Sequence, residues 1–212
     1  GAAAAFNAAN TTLKRGVGIA AGWYGCGNTS LPNPSTIKAG IRADGTIALH
    51  QGAMDIGQGA NTVISQLFAT ALGVPVHALT LIGADTDVTP DAGKTSASRQ
   101  TYVSGNAARL SGAAMRAQIL ERMNVAEDAQ LEIADGIIHA TDNAGRHSFA
   151  LSSLSADGEG YVLRSEETYD PPTKPLDENG QGAPYAQFGY AAHLVVVEVD
   201  TAFGTVKPLH FV

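Results

Sequence analysis

The chain has 212 residues, 44% hydrophobic and only 16% charged, which is enough apolar material for a substantial core and excludes a disordered chain. Its formal net charge of −7 argues against binding a nucleic-acid backbone, which needs a basic face. No apolar run approaches the ~18 residues that cross a membrane as a helix, and one cysteine, Cys26, excludes an internal disulfide framework or a cysteine-built metal site.

In chain order, residues 1–15 read as a short helical tail closed by Lys14 and Arg15. The alanine-rich start has no basic leader, so no secretion signal is expected there. Residues 16–30 are rich in glycine, which predicts backbone that turns tightly or approaches another group closely. A proline turn at 31–34 leads into a hairpin over 36–49, turning at Asp44-Gly45, a strong hairpin signal. Val63, Ile64, Leu67, Phe68, Ala71 and Leu72 recur at helical spacing, predicting a helix over 60–72 with Gly73 as its C-terminal cap. Residues 75–84 read as a strand, and a second helix is expected over 102–123, burying Val103, Ala107, Leu110, Ala114, Ala117 and Leu120. A small hairpin turns at Asp135-Gly136, a short helix is expected over 149–154, and 157–187 reads as irregular. Strands over 190–199 and 206–212 finish the chain. The last one stops without a polar tail, so the expectation is that the chain continues or pairs with another. Irregularly mixed strands and helices give an α+β class, with mixed sheets and packed helices.

One device occurs twice: strand, loop of small residues, helix. The first loop ends in Gly57, Gln58 and Gly59; the second runs Thr95, Ser96, Ala97, Ser98, Arg99 and Gln100. Helix N-termini carry unsatisfied N–H groups and a partial positive charge, so each entrance can receive a phosphate-like anion. Thr95, Ser96 and Ser98 would add hydroxyl donors, Arg99 charge, and Gln58 an amide. The plain alternative is a turn plus a cap in each case, and spacing alone leaves both readings open. The six histidines show no ligand spacing and read as structural, so no direct metal ligand is expected.

Five motifs in order carry a resemblance: Lys14-Arg15-Gly16-Val17-Gly18, Ala53 through Gly59, Asp85-Thr86 with Pro90, Thr95 through Thr101, and Gly105-Asn106-Ala107. Together they closely resemble the molybdenum hydroxylase family of xanthine dehydrogenases, aldehyde oxidoreductases and N-heterocycle hydroxylases. The likeness covers most of the chain and is weakest over 124–187.

The resemblance implies part of a large-subunit molybdopterin-binding domain. Its parts would be a glycine-rich pocket segment (1–35), a cofactor-loop core (36–123), a variable loop-rich region (124–187) and terminal strands (188–212). Gly57, Gln58, Gly59, Thr95, Ser96, Ala97, Ser98, Arg99 and Gln100 would bind molybdopterin cytosine dinucleotide with its molybdenum. Trp23, Tyr24, Asn28 and Thr29 would lie near the substrate pocket. The implied reaction is oxidation of an aldehyde or N-heterocycle with water as oxygen source. Its 2Fe-2S clusters and FAD would sit on other domains or subunits, which, with the remaining large-subunit segments and a small-molecule substrate, are the expected partners. The compartment would be the cytoplasm, with the periplasm as alternative.

In the family the catalytic glutamate ends a Gly-x-Gly-Glu motif that this sequence lacks, so the catalytic group is expected outside the chain, which alone would be inactive. A non-catalytic structural or interaction module is the competing reading. A generic phosphate binder ranks last, because no P-loop lysine motif is present.

Overall fold

The computed structural model describes residues 1–28 and 30–212. They form two compact units, one from Gly1–Gly25 and Gln187–Val212 and the other from Cys26–Ala186.

In the first unit, helix α1 (Ala2–Ala9) precedes strand β1 (Leu13–Gly25), which pairs along its whole length with β9 (Phe188–Asp200). Strand β10 (Thr205–Phe211) adds to the other side of β9 and shifts register at Pro208, where a proline has no N–H to give the ladder. The expected helix over 1–15 therefore ends at Ala9, and Lys14 and Arg15 begin a strand. The cause is pairing. Arg15 meets Glu198 across the ladder, Nη2 to Oε2 3.0 Å, and its guanidinium lies 3.7 Å over the Phe6 ring. The glycine-rich segment is likewise extended as far as Gly25, with Gly16 opposite Val197 and Gly22 opposite Ala191.

The second unit is built on a four-stranded sheet in the order β4-β3-β2-β8, from β2 (Ser35–Ile41), β3 (Ile47–Gln51), β4 (Leu79–Gly83) and β8 (Leu163–Tyr169). The β2–β3 hairpin turns at Asp44-Gly45 as expected. β3 and β4 are parallel, so a crossover must join them, and helix α2 (Ala60–Leu72) supplies it. Gly73 closes α2 in the left-handed conformation (φ 89°), its N–H bonded to Ala69 O. Helix α3 (Gln100–Met123) packs on α2 and on β2 and β8. The two helices approach closely at Gly112, where a Cβ would lie 2.6 Å from Phe68 O. Ile37, Ile41, Leu49, Ile64, Phe68, Leu72, Met115 and Ile119 fill the core. A second antiparallel sheet joins β5 (Gln130–Ala134), β6 (Ile137–Asp142) and β7 (Gly145–Ala150).

Three expectations are corrected in this unit. Residues 75–84 open with a 3-10 turn (Val76–Ala78), so the strand starts at Leu79. The expected helix over 149–154 is the end of β7 followed by a 3-10 turn, Leu151–Ser153, because Phe149 and Ala150 pair with Ile138 and Ile137. The irregular stretch 157–187 contains β8, paired with β2 from Ser35 to Ile41. Its inward positions include Ser165, whose hydroxyl meets that of Ser111 at 2.7 Å, so alternation of apolar and polar residues was not visible. No described helix is long and apolar enough to cross a membrane.

Candidate functional site

The loop after β3 is shaped by its own carboxylate. Gly57 and Gly59 take positive φ (103° and 80°), which glycine adopts without a steric penalty. This lets the chain wrap Asp55, whose Oδ1 accepts from the N–H groups of Gly57 (2.9 Å) and Gly59 (3.4 Å) and Oδ2 from that of Asn61 (3.1 Å). These bonds, that of Gly57 first, hold the Asp55 carboxyl below the usual carboxylate range. The N–H groups expected to meet an external anion at α2 are thus engaged internally. Gln58 also folds back, accepting from Ile56 N–H at 2.6 Å and donating to Met54 O at 3.1 Å. Sequence reasoning passed over Asp55, although an Asp two residues before a glycine is an Asx-turn signal.

The second loop is organised differently. Ala97 and Ser98 are consecutive non-glycine residues with positive φ, 53° each, a strain of about 1–3 kcal/mol per residue of the kind that concentrates at ligand sites. Ala97 O accepts from Gly27 N–H at 2.8 Å. The Thr95 hydroxyl reaches the backbone of Met54 in the first loop. Gln100 donates from Nε2 to Lys94 O at 3.0 Å and accepts at Oε1 from Ser104, whose hydroxyl meets that of Ser35 at 2.7 Å.

Arg99 is only 2% exposed. Its Nη1 donates to the carbonyl oxygens of Ala92 and Lys94, and its Nη2 to those of Asn33 (2.8 Å) and Pro34 (2.6 Å). All four terminal N–H bonds are used, and the buried Nε has no hydrogen-bond partner among the described residues. No described carboxylate lies at ion-pairing distance from Arg99. Burial pushes its pKa down, opposed at longer range by Asp91 and Asp170, yet an arginine stays charged at any physiological pH.

The two loops line an open cavity of about 390 Å³, formed by Ile56, Gln58 and the run from Thr95 to Thr101. It therefore unites Gln58 with all six assigned residues of the second loop. Gly57 and Gly59 are not among its lining, and a Cβ on either would meet open space. The first bond of α3 runs from Val103 N–H to Arg99 O at 2.8 Å, so the N–H groups of Gln100, Thr101 and Tyr102 have no intrahelical acceptor.

Trp23 and Tyr24 belong to β1 of the first unit. The Trp23 ring is 71% exposed and packs 5.0 Å from that of Phe188. Asn28 belongs to the second unit and donates to Asn33 Oδ1 at 3.2 Å; Thr29 lies outside the described residues. Among the histidines, His50 is buried, with Nδ1 2.9 Å from Val88 O and Nε2 2.6 Å from the Tyr161 hydroxyl.

Comparison with known proteins agrees with this architecture. The molybdopterin cofactor-binding domain family matches residues 1–212. The xanthine dehydrogenase molybdenum-binding subunit of Escherichia coli O157:H7 is 43% identical over 114 residues, 51% of this chain and 15% of that one. The aldehyde oxidoreductase of Megalodesulfovibrio gigas is 28% identical over 196 residues, 91% of this chain and 19% of its own. The crystal structure of the aldehyde oxidoreductase from Desulfovibrio desulfuricans superposes with a TM-score of 0.71 at 28% identity, covering 95% of this chain and 20% of that one. This chain thus spans a fifth or less of the length of these oxidoreductases. With the match extending over every residue, the chain belongs to the molybdopterin cofactor-binding domain family.

Proposed function

We propose that this chain is the portion of a molybdenum hydroxylase large subunit that holds the phosphate-bearing tail of molybdopterin, as its cytosine dinucleotide, at the start of α3. The observation that carries this reading is the charge of Arg99, buried at the cavity without a carboxylate partner. A buried charge lacking a counter-ion is costly, and an anion in the adjoining cavity offsets that cost. The other groups fit the same ligand: free N–H groups at the start of α3, the helix dipole, and the hydroxyls of Ser96 and Ser98. At about 390 Å³, the cavity has the size of a small-molecule site.

In this reading the second loop and α3 grip the phosphates, while Gln58 and Ile56 form the facing wall. Asp55 and Thr95 keep that wall in register with the second loop. When bound, the cofactor supplies the redox chemistry: hydroxylation of an aldehyde or N-heterocycle carbon with oxygen from water, the electrons passing to 2Fe-2S clusters and FAD elsewhere in the assembly. The protein contributes position and hydrogen bonds. The catalytic glutamate, electron transfer and part of substrate selection belong to other segments and subunits of a cytoplasmic enzyme.

The test is chemical analysis of the intact assembly purified from its source. One molybdenum and one acid-released cytidylate per chain support the reading. An intact assembly with neither would make this a fold kept for a structural or interaction role.

A further inference from the structure

We infer that Arg99 is a positioning residue of this cavity, acting through the backbone rather than by touching the anion. The inference rests on the reading just given, and it deepens it by assigning the step at which the cradle is made.

Arg99 draws together three stretches of chain. Its guanidinium takes the carbonyls of Asn33 and Pro34 ahead of β2, and of Ala92 and Lys94 in the loop before α3, while its own backbone caps that helix. The carbonyl oxygens that would repel an anion are thereby committed to a buried cation. The fit is close: Gly93 runs over the guanidinium with φ 62°, and a Cβ there would lie 2.8 Å from Nη1. Asp91 holds the same turn by accepting from Gly93 N–H at 2.7 Å. Gln100 adds a parallel bond to Lys94 O, backed by Ser104 and Ser35. No terminal N–H of Arg99 is left for a ligand, and its Nε is buried away from water-sized access.

A lysine keeps the charge but not the planar fork that bridges four carbonyls. That difference separates positioning from direct charge recognition. The experiment measures binding of inorganic pyrophosphate by calorimetry to the full-length subunit freed of its cofactor, for the wild type, Arg99→Lys, Arg99→Met and Ser98→Ala. Each variant is measured well below its melting temperature.

The expected result is a dissociation constant raised about tenfold or more, equivalent to 1.4 kcal/mol, by Arg99→Lys, and by at least as much in Arg99→Met, which loses the buried charge as well as the fork. Arg99→Lys at nearly the wild-type constant would overturn the inference in favour of charge recognition. A reduced fraction of binding-competent protein, with the constant unchanged, would also overturn it, by showing a merely structural role. If Ser98→Ala weakens binding and neither Arg99 variant does, positioning fails while the cavity assignment stands. If the wild type does not bind pyrophosphate, the cavity assignment fails and takes the inference with it.

Discussion

The Thr95 hydroxyl accepts from the Met54 N–H at 3.0 Å and is 3.1 Å from the Met54 carbonyl, to which it donates. One side chain thus latches the loop before α2 to the loop before α3, and the cavity between them depends on that latch. Thr95→Val keeps the shape and removes both bonds. At about 0.5–1.5 kcal/mol per hydrogen bond, urea unfolding should show a loss of about 1–3 kcal/mol, with Thr95→Ser close to wild type.

Asp55 makes the start of α2 sensitive to acid. Its folded pKa lies below the unfolded value because three backbone N–H groups bond the charged form. The stabilisation is therefore fully present above the unfolded value of about 3.9 and is lost as pH falls through the lower folded value. Melting temperature followed downward from pH 5 should fall less steeply in Asp55→Asn than in the wild type. Equal slopes would remove Asp55 from this role.

His50 predicts a second, higher window. Burial is the main cause lowering its pKa from 6.5 and favours the neutral ring, in which Nδ1 donates to Val88 O and Nε2 accepts from the Tyr161 hydroxyl. A depressed histidine pKa means stability is complete above about 6.5 and declines as pH falls below it, since the unfolded ring protonates first. His50→Gln should flatten the stability profile between pH 6.5 and 5. Tyr161→Phe leaves a buried nitrogen unpartnered, at a cost of about 1–3 kcal/mol, measurable by denaturant titration at pH 8.

Helix spacing is set at Gly112. A methyl group there would meet Phe68 O at 2.6 Å and Leu72 N at 3.1 Å, so α2 and α3 must move apart. Gly112→Ala should destabilise the protein by about 1–3 kcal/mol, as overpacking typically does, even though alanine favours a helix intrinsically. A stabilised Gly112→Ala protein would contradict the packing described.

Much of the second unit was legible because its signals are local. The Asp44-Gly45 turn, the apolar period of α2 and the glycine that caps it are each contained within a few residues. β1 was not legible, since its extended form depends on β9, far away in sequence, and its glycines and alanines carry no alternation. β8 was hidden by an inward serine among charged residues. At the site, the second loop could be located from its small residues, but the direction of Arg99 could not. A sequence shows that a charge is present; only packing shows that it faces carbonyls of the chain. The same limit applied to α2, whose free N–H groups belong to Asp55.

On the function proposed above, the start of α3, and not that of α2, receives the cofactor's phosphates. The most direct measurement is a crystal structure of the complete subunit with its cofactor retained. Phosphate oxygens are expected about 2.7–3.2 Å from the backbone nitrogens of Gln100, Thr101 or Tyr102, with the Arg99 fork unchanged beneath them. Phosphates bound instead at Gly57 and Gly59, with Asp55 displaced from their N–H groups, would contradict it.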